Sequence, residues 1–83
     1  MDSKAMIQEF ILTQIAKNYD KKEIEDTEPL IESGIIDSLA IMKLLSFIEE
    51  KFQLQIAGDD LIEENFETLN AITQLVEKNF VES

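Results

Sequence analysis

Gly34-Ile35-Ile36-Asp37-Ser38-Leu39 is the stretch from which the fold is read. It closes a long polar connection and opens the strongest amphipathic run in the chain. The first turn of a helix leaves N–H groups without carbonyl partners, and a short oxygen-bearing side chain at the boundary accepts one of them. Asp37 and Ser38 both qualify as that cap. A serine at this point also stands at the positive end of the helix dipole, where an attached anion is favoured.

Downstream, a turn of about 100° per residue puts Ile41, Met42, Leu45, Ile48 and Phe52 on one broad face, with Leu44 at its edge. Ala40, Lys43, Glu50 and Lys51 lie opposite. The pattern predicts a helix from Ser38 to about Phe52. Leu39 and Phe47 fall on its polar side. Single exposed hydrophobics are ordinary, but these two share the helix that begins at Ser38, so both are candidates for contact with a partner. Gln53-Leu54-Gln55-Ile56 alternates like a strand, yet a four-residue strand without a mate is a poor unit, and it is read as an extended connector. Gly58 to Asn65 suggests a short third helix with acids in its first turn. Phe66 anchors the next turn. Thr68 caps a last helix whose stripe is Leu69, Ile72, Val76 and Phe80, with Leu75 alongside.

Upstream, Asp2 or Ser3 caps a first helix running to about Tyr19, with Ile7, Phe10, Ile11 and Ile15 as its stripe and Leu12 half exposed beside it. The connection from Asp20 to Asp37 is long for so small a chain. It holds Ile24, Leu30, Ile31, Ile35 and Ile36, so it is expected to pack down on the helices, turning at Pro29 and Gly34. The expected fold is all-α: a four-helix bundle of three longer helices and one short one, forming one domain over residues 1–83.

Composition bounds the function. There are 83 residues, no cysteine and no histidine, which removes disulfides, thiolate metal sites and the usual general base. Lysine supplies all seven basic residues against 18 acidic ones, for a net charge of -11. Such a surface repels phosphate backbones, so nucleic acid is excluded as a partner, and it steers towards basic protein patches instead. No apolar run approaches the roughly 18 residues of a membrane span. Met1-Asp2-Ser3-Lys4 lacks the layout of a signal peptide, so a cytoplasmic location is expected. Asp59, Asp60, Glu63 and Glu64 cluster, but without the alternating ligands of a calcium loop, and no metal site is read there. Ser38 lacks a histidine and the G-x-S-x-G elbow; Ile36 and Ala40 flank it where glycine would stand. An enzyme is not expected.

Three blocks occur in order: Leu30-Ile31-Glu32-Ser33-Gly34-Ile35-Ile36-Asp37-Ser38-Leu39, then Glu49-Glu50-Lys51-Phe52, then Phe66-Glu67-Thr68-Leu69-Asn70-Ala71-Ile72. Together they resemble the attachment motif, the following helix end and the last-helix start of acyl carrier proteins. The resemblance runs from the first helix to Phe80. It implies that Ser38 receives a 4'-phosphopantetheine arm from coenzyme A, attached by a separate phosphopantetheinyl transferase with magnesium. It implies that Asp37 and Leu39 belong to the attachment site. The arm's thiol would hold acyl or aminoacyl groups as thioesters, supplied by a loading ligase and consumed by an acyltransferase or synthase of lipid, fatty acid or polyketide biosynthesis. A cleft between the second and last helices would shelter the acyl chain, with Met42, Ser46, Ile56, Leu61, Ile62 and Leu69 as candidate walls. Docking candidates are Leu39, Lys43, Phe47, Glu49 and Glu50.

The departures narrow this expectation. The family's fatty acid carriers usually have acids two and five places after the modified serine, where this chain has Ala40 and Lys43. Lys51 stands where a third acid is common. A specialised, stand-alone and monomeric carrier of an unusual lipid, a polyketide or an amino acid such as D-alanine fits better than general fatty acid synthesis. The competing expectation is an acidic helical interaction module in which Ser38 merely caps a helix.

Overall fold

The computed structural model describes residues 2–17 and 22–79. Three α-helices carry it: α1 (Ser3–Phe10), α2 (Ser38–Phe52) and α3 (Leu69–Asn79). α1 widens into a π-helical turn over Ile11–Ile15, closed by the Ala16 N–H donating to the Ile11 carbonyl at 2.7 Å. The expected end of this helix near Tyr19 lies outside the described residues. Short 3-10 turns at Gly58–Asp60 and Glu63–Phe66 bridge α2 to α3, and no strand occurs among the described residues. The fold is therefore all-α, with three longer helices and a short helical bridge. No described helix is long and apolar enough to cross a membrane.

Local chemistry accounts for most boundaries. The Asp2 carboxylate accepts the Ala5 N–H at 3.2 Å and starts α1, and Thr68 Oγ1 accepts the Ala71 N–H at 3.0 Å and starts α3. α2 ends where Gln53 turns left-handed at φ 55° and the Leu54 N–H reaches back to the Glu49 carbonyl at 3.3 Å. The expected short third helix resolves into two tight turns because Ile62 is extended, at φ -119° and ψ 152°, which interrupts any i to i+4 ladder. Asn65 Nδ2 donates to the Asp60 carbonyl at 2.7 Å and holds the two turns together.

The long connection packs down as its apolar residues require. Ile24, Leu30, Ile35 and Ile36 are buried with the helix stripes in one core that also contains Ile7, Ile11, Ile48 and Phe66. Buried backbone needs partners, and it finds them on the neighbouring elements. The Leu30 N–H donates to the Glu67 carbonyl at 2.8 Å, the Asn70 N–H to the Asp26 carbonyl at 3.0 Å, and the Ile24 N–H to Gln8 Oε1 at 2.8 Å. Gly34 takes φ 86°, a left-handed conformation open to glycine without a Cβ clash.

The expected face of α2 is corrected by rotation. Its buried residues are Ala40, Leu44, Leu45, Ile48 and Phe52, whereas Met42, assigned to the core stripe, is 58% exposed. Phe47 explains the shift. Its ring stacks on Phe10 of α1 at 4.2 Å between centroids and 16° between planes, and Phe52 meets it edge-on at 6.2 Å. Met42 lies five residues earlier, about 140° around the helix. Covering Phe47 turns the Ala40–Leu44 side inward and Met42 outward.

Candidate functional site

Ser38 is the first residue of α2 and is exposed. Of the two possible caps, Asp37 does the work: its Oδ1 accepts the Ala40 N–H at 2.8 Å, and its carbonyl accepts the Ile41 N–H at 2.9 Å. The Ser38 hydroxyl is left without a hydrogen bond among the described residues. The residue is held from both sides, since Ile35 and Ile36 before it and Ala40 after it are buried. The Ile36 N–H also donates to the Leu30 carbonyl at 3.0 Å. Ser38 is thus an exposed side chain on an anchored backbone. With the Ala40 and Ile41 N–H groups taken by Asp37, the Ser38 and Leu39 N–H groups remain as first-turn donors without intrahelical carbonyls, so an anion bonded to Ser38 Oγ would stand near them and at the positive helix end. These features fit a phosphodiester.

Asp37→Ala should cost about 1 kcal/mol, the usual value of a lost N-cap. Urea unfolding followed by helix signal measures it, and Asp37→Asn, which retains an acceptor, should lose much less.

The remaining candidates separate into distinct places. Leu39 is 75% exposed, directly beside Ser38, and Lys43 and Glu50 are exposed further along α2. Phe47 is instead half covered by Phe10. Glu49 is half-buried and turns its carboxylate onto the Ile56 N–H at 3.1 Å, so it secures the connector after α2. Among the suggested acyl-cleft walls, Ile56 and Leu69 are buried at 7% and 1% exposure, while Met42, Leu61 and Ile62 stand exposed.

Ser46 lines a different feature, an open groove of about 680 Å³ where α2 faces α1. Phe10, Gln14, Lys43, Phe47 and Lys51 share that lining. Sequence reasoning missed Phe10 and Gln14 as surface-forming residues. The available signal was Phe47, an aromatic on the polar side of its helix, which needed a partner such as Phe10 to cover it.

Acidic residues do not converge on an ion site. Among the described residues no group of His, Cys, Asp or Glu is placed to hold a metal. Asp60 pairs with Lys78 at 3.1 Å, and Asp26 with Lys4 at 2.9 Å.

Comparison with known proteins points the same way as this geometry. Residues 9–76 match the family described as the phosphopantetheine attachment site. The D-alanyl carrier protein of Staphylococcus xylosus is 34% identical over 68 residues, covering 82% of this chain and 86% of its own. The "Probable acyl carrier protein PigG" of Serratia sp. (strain ATCC 39006) is 26% identical over 76 residues, covering 88% of this chain and 87% of its own.

Proposed function

The chain belongs to the phosphopantetheine attachment family, and from that membership we propose that it is a carrier protein modified at Ser38. It presents acyl or aminoacyl groups to partner enzymes and does not itself catalyse their transfer. The observation that carries the assignment to Ser38 is its exposed hydroxyl at the start of α2, without a hydrogen bond among the described residues, with Asp37 acting as the cap.

When bound, the arm supplies a thiol for thioester formation. The chain's own residues hold and orient it. Asp37 keeps the first turn of α2 wound, the buried Ile35, Ile36 and Ala40 fix where Ser38 projects, and the helix end favours the negative charge attached there. No histidine is needed for this role, because activation of the hydroxyl belongs to the transferase. Leu39 and Lys43 give partner enzymes an apolar contact and a cation close to the arm. A loading ligase and a downstream acyltransferase or synthase complete the set of partners. Similarity to both a D-alanyl carrier and an acyl carrier keeps both cargo classes within the proposal. The limited acidity of the exposed α2 face favours a specialised pathway.

Incubation with coenzyme A, magnesium and a broad-specificity phosphopantetheinyl transferase should raise the intact mass by one phosphopantetheine. A folded protein that gains no mass would sink the carrier reading. It would leave Ser38 as an ordinary first-turn residue and favour the acidic interaction module.

A further inference from the structure

Lys43, Phe47 and Lys51 stand at successive four-residue steps on α2, and all three line the groove of about 680 Å³ where α2 faces α1. Four residues advance a helix by about 6 Å and turn it by about 40°. The three therefore form one slowly winding row: cation, aromatic, cation. Phe10 meets the row from α1, its ring stacked on Phe47 at 4.2 Å between centroids. Both rings are only half-buried, so the middle of the groove is apolar. Exposed Gln14, Ser46 and Gln53 give it a polar rim.

Charge decides what fits there. The chain has 18 acids against seven lysines, and its surface as a whole repels an acidic partner. The groove reverses that balance, with Lys43 and Lys51 against Glu50 alone. Glu9 lines only a smaller depression beside it. Both lysines are exposed, and the ion pairs among the described residues use Lys4 and Lys78 instead. By contrast, the depression beside Pro29 and Ile31 is lined by Glu32, Glu63 and Glu67 with no cation. An acidic segment would be turned away there and drawn to the groove.

We propose that this groove docks an acidic amphipathic helix of a partner protein. One apolar side chain of that helix lies over Phe10 and Phe47, and acidic side chains four residues to either side face Lys43 and Lys51. Phe47 follows Ser38 by nine residues, half a turn out of phase. The docked helix and Ser38 therefore lie on opposite sides of α2, and the partner holds the chain without covering that serine. The site does not depend on modification of Ser38.

The probe is a synthetic alanine-rich helical peptide with Glu, Leu and Glu at i, i+4 and i+8, and its control has Lys in place of both Glu. Backbone amide shifts of the isotope-labelled, unmodified chain read the binding. At about 1 mM, the acidic peptide should shift Gln14, Ser46, Phe47 and Gln53 and leave Ser38 and Leu39 in place. Lys43→Ala and Lys51→Ala, both exposed changes, should each weaken binding about threefold and together about tenfold, the scale of surface charge contacts. Shifts centred on Ser38 and Leu39 would mean that the start of α2 takes the carboxylates, and would overturn the proposal. So would an equal response of the groove to the cationic peptide, undiminished binding in the double variant, or no shift at all. Groove signals that move with the concentration of the protein alone would assign the face to a second copy, which overturns the partner helix equally. Gain of the arm's mass is a separate result, so the carrier reading and the groove fail independently.

Discussion

Ser38→Ala should abolish phosphopantetheine attachment and leave the fold intact. The two outcomes are separable because the structure divides two roles that the sequence leaves joined. The cap belongs to Asp37, whose carboxylate holds the Ala40 N–H, while the Ser38 hydroxyl bonds nothing among the described residues. Alanine is the better helix former, so stability should move by no more than about 0.5 kcal/mol. The other described serines do not substitute readily. Ser3 is buried, and the Ser33 hydroxyl donates to the Leu30 carbonyl at 3.2 Å. Ser46 is exposed but lies inside α2, away from its N-terminal donors. Intact mass after incubation with the transferase and coenzyme A, alongside thermal unfolding, reads both effects. A variant that still gains the arm would move the site away from Ser38. A variant that unfolds would show that Ser38 supports the helix start after all.

Phe66→Ala should have the largest effect on stability. Phe66 is fully buried, at the end of the second 3-10 turn and just before α3. Removing a buried phenyl ring costs about 3–5 kcal/mol, from lost transfer energy and the cavity left behind. A chain of 83 residues has only about 4–12 kcal/mol of stability in total. The variant should therefore sit near its unfolding midpoint at ordinary temperature, since each kcal/mol shifts Tm by roughly 4–8 °C in a domain of this size. Phe66→Leu keeps most of the volume and should lose less than about 1.5 kcal/mol. Urea titration by circular dichroism distinguishes the two. Equal, small losses in both would mean that the bridge between α2 and α3 contributes little to the core.

The arm bears on the same core only indirectly. Ser38, its proposed attachment point, is exposed. Modification should accordingly proceed without opening the packed interior around Ile48, Ile72 and Val76.

Helix positions and their starts were written in the local sequence. Asp2, Asp37 and Thr68 cap as their side chains allow, because capping is a contact between residues three apart. The apolar rows of α1 and of α3 from Leu69 to Val76 were legible for the same reason, Phe80 lying outside the described residues, and so was the collapse of a connection carrying Ile24, Leu30, Ile35 and Ile36. The position of Ser38 at a helix start followed directly. Rotation of α2 did not. Apolar residues occur around most of that helix, so periodicity alone permits several buried faces, and the stack of Phe47 on Phe10 selects one. That choice exposes Met42, buries Ala40 and forms the groove beside Lys43. The short bridge was expected as one short helix and is two turns, because acids and isolated apolar residues suit an α-helix or a 3-10 turn alike. Extended backbone at Ile62 and the Asn65–Asp60 hydrogen bond settle it. Sequence by itself thus determined where helices begin and which serine one of them presents. Tertiary structure decided which side of that helix meets solvent, because the deciding contact joins residues 37 positions apart, Phe10 and Phe47, and no local pattern records it.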